Sequence, residues 1–211
     1  MKNVTPLPLA LQRRTARPST QRGITTVQIA IGILVSVIAL VGSFGGFQYV
    51  AQAKVNTDVA AMLDLKAATQ RYGTSLGSGG FTKDNVTTAT LINLGFFGSS
   101  GFVLSGTIPS QTVANQYGGA VTAAVPTNST DEIATLTEGI SFTWNGLPSA
   151  ACRELALRLD TLALSVQAKA GSSATFQKVK SLGAAMIPAN AATGCASASS
   201  DNVLTVTFSR S

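Results

Sequence analysis

The stretch GITTVQIAIGILVSVIALVGSFGGFQYV, residues 23–50, decides how this chain is organised. No charged side chain occurs from Gly23 through Ala53. A run of about 20 apolar residues crosses a bilayer as a helix. The backbone must be helical there because lipid offers no partner to free amide groups. The stretch therefore predicts a membrane-spanning helical segment over residues 24–50.

The charge of the chain is concentrated in front of this segment. The formal net charge is +6, from 15 Lys and Arg against 9 Asp and Glu. Five of the basic residues precede Gly23, where no acidic residue occurs: Lys2, Arg13, Arg14, Arg17 and Arg22. A nucleic-acid-binding domain needs its basic side chains clustered on the folded surface. The N-terminal tail instead has the pattern of a positive-inside topology signal.

At the boundary between tail and segment, Gln21-Arg22-Gly23 ends a basic leader, and Ile24-Thr25-Thr26-Val27-Gln28 begins the apolar run. This boundary resembles the prepilin peptidase site of type IV pilins. The resemblance implies cleavage after Gly23, N-methylation of Ile24, and retention of the hydrophobic segment. A leader of 23 residues and Ile at the first mature position are similar to the type IVb branch.

The resemblance assigns Thr25 and Gln28 to subunit assembly. The family usually has Glu at the fifth mature position, where its carboxylate pairs with the amine of a neighbouring subunit. Gln28 can accept a hydrogen bond there but carries no charge, and it costs less than an ionised group to hold in lipid. The substitution predicts weaker docking of a neighbour's amine, or a role as a minor subunit.

Beyond the apolar segment, the spacing of apolar residues predicts that the helix continues to Tyr72 and stops at Gly73. The apolar positions are Val55, Val59, Met62, Leu63 and Leu65, with Lys54, Asp58, Lys66 and Arg71 between them. Three glycines interrupt the apolar half: Gly42, Gly45 and Gly46. They indicate either close packing between membrane helices or, as the resemblance implies, a weak point that unwinds on assembly.

The remainder of the chain predicts short elements joined by loops. We expect a short helix near Thr87–Leu94, a loop at Pro126–Asp131, a helix capped by Ser149, and Cys195 in a loop of small residues. The candidate strands are Ala120–Val125, Ile133–Glu138, Ile140–Trp144, Phe176–Val179 and Val203–Phe208, the last being the clearest because Val, Thr and Phe favour strands.

The chain has two cysteines, Cys152 and Cys195. In an exported domain such a pair favours a disulfide, whereas a cytosolic location would leave two buried thiols. The order of strand, Trp-Asn-Gly-Leu-Pro, cysteine-bearing helix, second cysteine and final strand, over Ile140–Phe208, resembles the globular domain of type IVb pilins. That resemblance implies that the cysteines are bonded and delimit a surface region, 152–195, used in filament packing and adhesion.

Catalytic and metal-binding patterns do not emerge from the sequence. Histidine, the commonest general base, does not occur. Two cysteines without histidine supply too few ligands for zinc. Asp131, Glu132 and Glu138 fit a solvated loop better than a paired acid–base site. We therefore predict no catalytic residue, no metal, no cofactor and no nucleic-acid site.

Taken with the resemblance, these patterns predict an α+β protein in which a long N-terminal helix packs on an antiparallel sheet. The predicted parts are a leader, 1–23, the long helix, 24–72, and a globular head, 73–211. The expected function is a type IVb pilus subunit, held in the bacterial inner membrane and polymerised into an extracellular homo-oligomeric filament for adhesion, aggregation or conjugation. Its expected partners are a prepilin peptidase, membrane lipid and the pilus assembly machinery. The alternatives are a minor pilin, a pseudopilin of a secretion system, or a periplasmic domain on a signal anchor or behind a cleaved signal peptide.

Overall fold

The computed structural model describes residues 26–107, 110–126, 138–172 and 174–210, with side chains described from residue 51 onward. The chain divides into two compact units, 1–45 and 46–211, and the sheet belongs to the second. The helices are α1 (Thr26–Ser75), α2 (Thr88–Asn93), α3 (Ser149–Arg158) and α4 (Pro188–Gly194). The strands are β1 (Val103–Ser105), β2 (Thr112–Ala114), β3 (Ala120–Ala124), β4 (Gly139–Leu147), β5 (Ser165–Lys169), β6 (Gln177–Lys180) and β7 (Asn202–Ser209). The predicted α+β class is confirmed.

All seven strands form one sheet in the order β1-β2-β3-β4-β7-β5-β6, and every neighbouring pair is antiparallel. The last strand of the chain, β7, therefore lies between β4 and β5. Its Val206 is opposite Phe142 on one side and Val166 on the other. The sheet leaves two edge strands, β1 and β6, at opposite sides.

The core lies between α1 and one face of the sheet. Side chains alternate between the faces of a strand, which places Phe142 and Trp144 on the same face. Phe142 lies 6.5 Å from Phe96, centroid to centroid, and Phe96 lies 5.8 Å from Tyr72 of α1. On the other face, hydroxyl groups pair across the strands, as in the 2.8 Å contact between Ser141 Oγ and Thr207 Oγ1.

α1 extends past its predicted end. Gly73 does not stop the helix, which runs to Ser75. A Cβ on Gly73 would lie 2.3 Å from Cβ of Arg210, so glycine is needed there for close approach to the end of the chain. The left-handed residue that commonly follows a helix is Gly77, with φ +58°.

Several shorter elements match their predicted positions. The helix near Thr87–Leu94 is α2, and Thr87 Oγ1 accepts a hydrogen bond from the amide of Thr90 at 3.1 Å. Strands β3, β4, β6 and β7 overlap four of the five predicted strands. The fifth, Ile133–Glu138, and the loop at Pro126–Asp131 lie almost wholly outside the described residues.

Three features were not predicted correctly. The cap assigned to Ser149 is wrong, because Pro148 is the N-cap and the Ser149 hydroxyl bonds to another segment. Helix α4 was missed, although Pro188 at its first turn is a helix-start signal. Strands β1, β2 and β5 were also missed.

Candidate functional site

The predicted processing and assembly residues lie at the N-terminus. Gly23, Ile24 and Thr25 are outside the described residues, as is the side chain of Gln28, whose backbone is part of α1. The helical backbone of α1 also runs through the three glycines at 42, 45 and 46. Processing, docking and unwinding at these positions stay predictions. From residue 51 onward, where side chains are described, no helix is long and apolar enough to cross a bilayer.

The two cysteines form a disulfide between α3 and the end of α4. Cys152 and Cys195 are fully buried, with their Cα atoms 5.7 Å apart. Ser149 adds a second tie, because its hydroxyl donates to the Cys195 carbonyl at 2.5 Å. The bond encloses most of α3, together with β5, β6 and α4; we call residues 152–195 the cysteine-bounded region.

The cysteine-bounded region is fixed to the sheet by close packing and by buried amides. A Cβ on Gly194 would lie 2.7 Å from the Ala168 carbonyl oxygen, so α4 rests directly on the backbone of β5. Just beyond this region, Asn202, fully buried at the start of β7, donates to the carbonyls of Leu147 at 2.8 Å and Ser197 at 3.1 Å. These bonds hold the segment that follows Cys195 against the end of β4.

Exposed apolar side chains gather at the β6 edge, within this region. Phe176, Leu182 and Ile187 are 37%, 41% and 47% exposed, and we call them the β6-edge group. The backbone edge itself is partly covered, because Ile187 N donates to Val179 O at 2.7 Å. Lys169 Nζ lies 4.9 Å from the centre of the Phe176 ring, which adds positive charge to this edge.

The opposite edge of the sheet is also apolar. Val103 and Leu104 of β1 are 52% and 42% exposed, and we call them the β1-edge group. No charged residue occurs in β1. Edge strands that lack charges, prolines or bulges are templates for pairing with another chain, so β1 is the less protected edge.

An open groove of about 430 Å³ lies beside α1. Tyr72 and Phe96 contribute aromatic rings to its wall, and Leu94, 51% exposed, forms part of its rim. Arg71 adds a cation.

Asp58 of α1 is fully buried. The sequence predicted it among the polar positions of this helix. The signal that could have found it is its spacing from Val55, Met62 and Leu65, which places all four on one helical face. Across the described residues, no three His, Cys, Asp or Glu side chains are placed to hold a metal ion.

Comparison with known proteins gives a consistent result. The sequence profile of the PilS N-terminal family matches residues 51–209. No curated protein sequence matches the chain. The crystal structure of a type IVb pilin from Salmonella typhi superposes with a TM-score of 0.52 and 20% identity, covering 73% of this chain and 99% of that one. This likeness concerns the fold alone.

Two further solved structures are similar at lower TM-scores. The NMR structure of the type IVb pilin PilS from Salmonella typhi gives 0.43 at 21% identity, over 73% of this chain and 95% of that one. The crystal structure of TcpA, a type IV pilin from Vibrio cholerae El Tor, gives 0.46 at 14% identity, over 75% and 99%.

Proposed function

The chain belongs to the PilS N-terminal family of type IVb pilins, and on that premise we propose that it is the structural subunit of a type IVb pilus. The observation that carries the proposal is the family match over residues 51–209. The α+β fold, with α1 against a seven-stranded sheet, agrees with it. A structural role accounts for a chain whose sequence offers no catalytic pattern.

The proposed life of the subunit begins in the inner membrane. A prepilin peptidase removes residues 1–23 and the new N-terminal Ile24 is methylated. The apolar segment 24–50 anchors the subunit in lipid and then packs against identical helices when the assembly machinery moves the subunit into the extracellular filament. The three glycines of α1 allow local unwinding during this transfer. The filament serves adhesion, aggregation or conjugative DNA transfer.

We propose that contacts between heads use the two sheet edges. A contact between different surfaces of identical subunits generates an open helical filament when the rotation does not close. The β1-edge and β6-edge groups are such different surfaces, since they lie at opposite sides of one sheet. We place the β6-edge group of one subunit against the β1 side of the next. The disulfide keeps the β6 side folded outside the cell.

A minor-subunit role is the second candidate, and Gln28 favours it. An uncharged side chain at the fifth mature position holds a neighbour's amine less strongly than a carboxylate does, because hydrogen bonds to charged groups are about twice as strong. A subunit used in few copies tolerates that loss better than the bulk component.

The experiment that tests the proposal changes the cleavage site. In cells that display the filament, Gly23→Val should leave a longer precursor in the inner membrane and abolish filaments. Ser19→Ala, in the same leader, is the matched control and should be processed normally. Normal filaments from Gly23→Val would overturn the proposal.

A further inference from the structure

The carboxyl group of Asp58 is buried, with no hydrogen-bond partner among the described residues. Asp58 shares the inward face of α1 with Val55, Met62 and Leu65, and it is fully buried. Neither carboxyl oxygen has a hydrogen-bond partner among the described residues. Burying an unpaired charge is costly, and a group in this position favours its neutral form.

Two other buried polar atoms at this end of the sheet also lack a described partner: the Tyr117 hydroxyl and Trp144 Nε1. Tyr117 belongs to the turn between β2 and β3, and Trp144 lies opposite Val121, just beyond that turn. The loop that carries Gly101 also packs on α1, where a Cβ would meet Ala61, and this loop has no charged residue.

The charged groups around Asp58 come from two helices. Lys54, one turn earlier on α1, has its Nζ 5.4 Å from the centre of the Tyr117 ring. The charge of Glu154 on α3 raises the pKa of Tyr117. Glu154 forms an ion pair with Arg158, which also donates a hydrogen bond to Asn56 Oδ1 at 2.6 Å.

The electrostatics agree with this geometry. Burial raises the pKa of Asp58 to about 7, against a smaller lowering by Lys54. Burial, with the charges of Asp58 and Glu154, raises the pKa of Tyr117 to about 12. Of the two, only Asp58 therefore changes charge near neutral pH.

We propose that Asp58 is a proton-operated latch between α1 and the sheet. While its carboxyl is neutral, α1 stays seated on the β2–β3 turn. When the carboxyl releases its proton to solvent, Lys54 leaves the Tyr117 ring to pair with it, which the four-residue spacing on a helix permits. The contact between α1 and the turn then loosens.

The direction of the pH dependence follows from linkage. The folded-state pKa lies above the unfolded value of 3.8, so the folded chain binds more protons between these values. The stabilisation is complete below the unfolded pKa and is lost as pH rises towards and through about 7. Mild acid therefore tightens the subunit and mild alkali loosens it.

The test uses the full chain in detergent and its single tryptophan, Trp144, as the reporter. Denaturant unfolding of the parent chain should show stability falling as the pH rises from 3.8 to about 7 and staying level above that. Relative to Asp58→Asn, its unfolding equilibrium constant should rise roughly 100- to 1,000-fold between pH 4 and pH 8.5. Asp64→Asn is the matched control, because Asp64 is exposed on the same helix. This variant should show the same pH-dependent loss of stability as the parent, which we call the step.

Two results would overturn the latch: a step that persists in Asp58→Asn, or one that disappears in Asp64→Asn. Lys54→Met gives an independent test should Asp58→Asn fail to fold. Removing this cation should raise the folded-state pKa of Asp58 and so move the upper end of the step to higher pH. An unchanged upper end would contradict the latch. The measurement is made on free subunits, so its outcome is separate from that of the filament proposal.

Discussion

At the scale of single residues, the first prediction concerns the docking role that we propose for Gln28. If its side chain only satisfies a polar partner in the filament, Gln28→Glu should be tolerated or should increase the yield of filaments, because a carboxylate binds an amine more strongly than an amide does. The measurement is the mass of filaments sheared from a fixed number of cells. Gln28→Leu, which removes the hydrogen bond, is the opposing variant, and a higher yield from it than from Gln28→Glu would contradict the docking role.

Gly194 tests how tightly the cysteine-bounded region rests on the sheet. Gly194→Ala should destabilise the chain by about 1–3 kcal/mol, the usual cost of overpacking, because a Cβ there would lie 2.7 Å from a backbone oxygen of Ala168. Higher helix propensity returns at most about 1 kcal/mol. Denaturant midpoints give the value.

Gly79→Ala is the control for that change, since no atom lies within 4 Å of a Cβ at Gly79. Its midpoint should stay within about 0.5 kcal/mol of the parent. Equal stability of both variants would show that α4 does not rest on β5 as described.

At the scale of elements, the disulfide holds α3 and α4 together. Its cysteines are 43 residues apart, and chain entropy for such a loop corresponds to about 4 kcal/mol as an upper figure. Domain stability is usually about 5–15 kcal/mol. Cys152→Ser with Cys195→Ser should therefore give a membrane-inserted subunit that proteases cleave between these positions and that assembles poorly.

Alkylation of thiols in protein taken directly from cells checks the bond itself. The parent chain should react with the alkylating reagent only after reduction. Reaction of both cysteines without reductant would contradict the bond. Protease resistance of the double variant equal to that of the parent would contradict its stabilising role.

The β1 edge makes a separate prediction about assembly. Val103→Lys places a charge on an exposed position of an edge strand, a device that blocks pairing between chains. We expect folding to be unchanged, within about 0.5 kcal/mol, and filament yield to fall at least several-fold. Thr122→Lys, exposed on the interior strand β3, is the control. Equal yields from both variants would remove β1 from the proposed interface.

Long or strongly patterned elements were the ones that could be predicted. α1, β4 and β7 carry runs of apolar or β-branched residues, and the spacing of these residues along the chain indicates helix or strand. β1 and β2 have three residues each, too few to show a period. β5 reads Ser-Val-Gln-Ala-Lys and lies between β7 and β6, and its polar residues Ser165 and Gln167 are buried. Such burial depends on residues distant in sequence.

The candidate site was predictable to a similar extent. The cysteine pair could be named because only two cysteines occur. The edge groups could not, since the sequence does not say that β1 and β6 lie at the sheet's margins. The burial of Asp58 was not predicted either, because Tyr117, the residue whose pKa its charge raises, is distant from it in sequence.

At the scale of the whole molecule, the proposed filament depends on two surfaces and one anchor. In that proposal, the β1 and β6 edges make two different contacts between heads, and the apolar segment 24–50 packs against the same segment of other subunits. The account therefore requires that segment to survive maturation. If residues 1–50 were an ordinary signal peptide, cleavage would remove the apolar segment. If they were a signal anchor, the mature chain would keep both the segment and the leader.

The most direct test is the intact mass and N-terminal sequence of subunits from purified extracellular filaments. We predict a chain that begins at methylated Ile24 and in which Cys152 and Cys195 are bonded. Ser19→Ala filaments should give the same N-terminus. A subunit that begins beyond the apolar segment, or one that retains residues 1–23, would contradict the account.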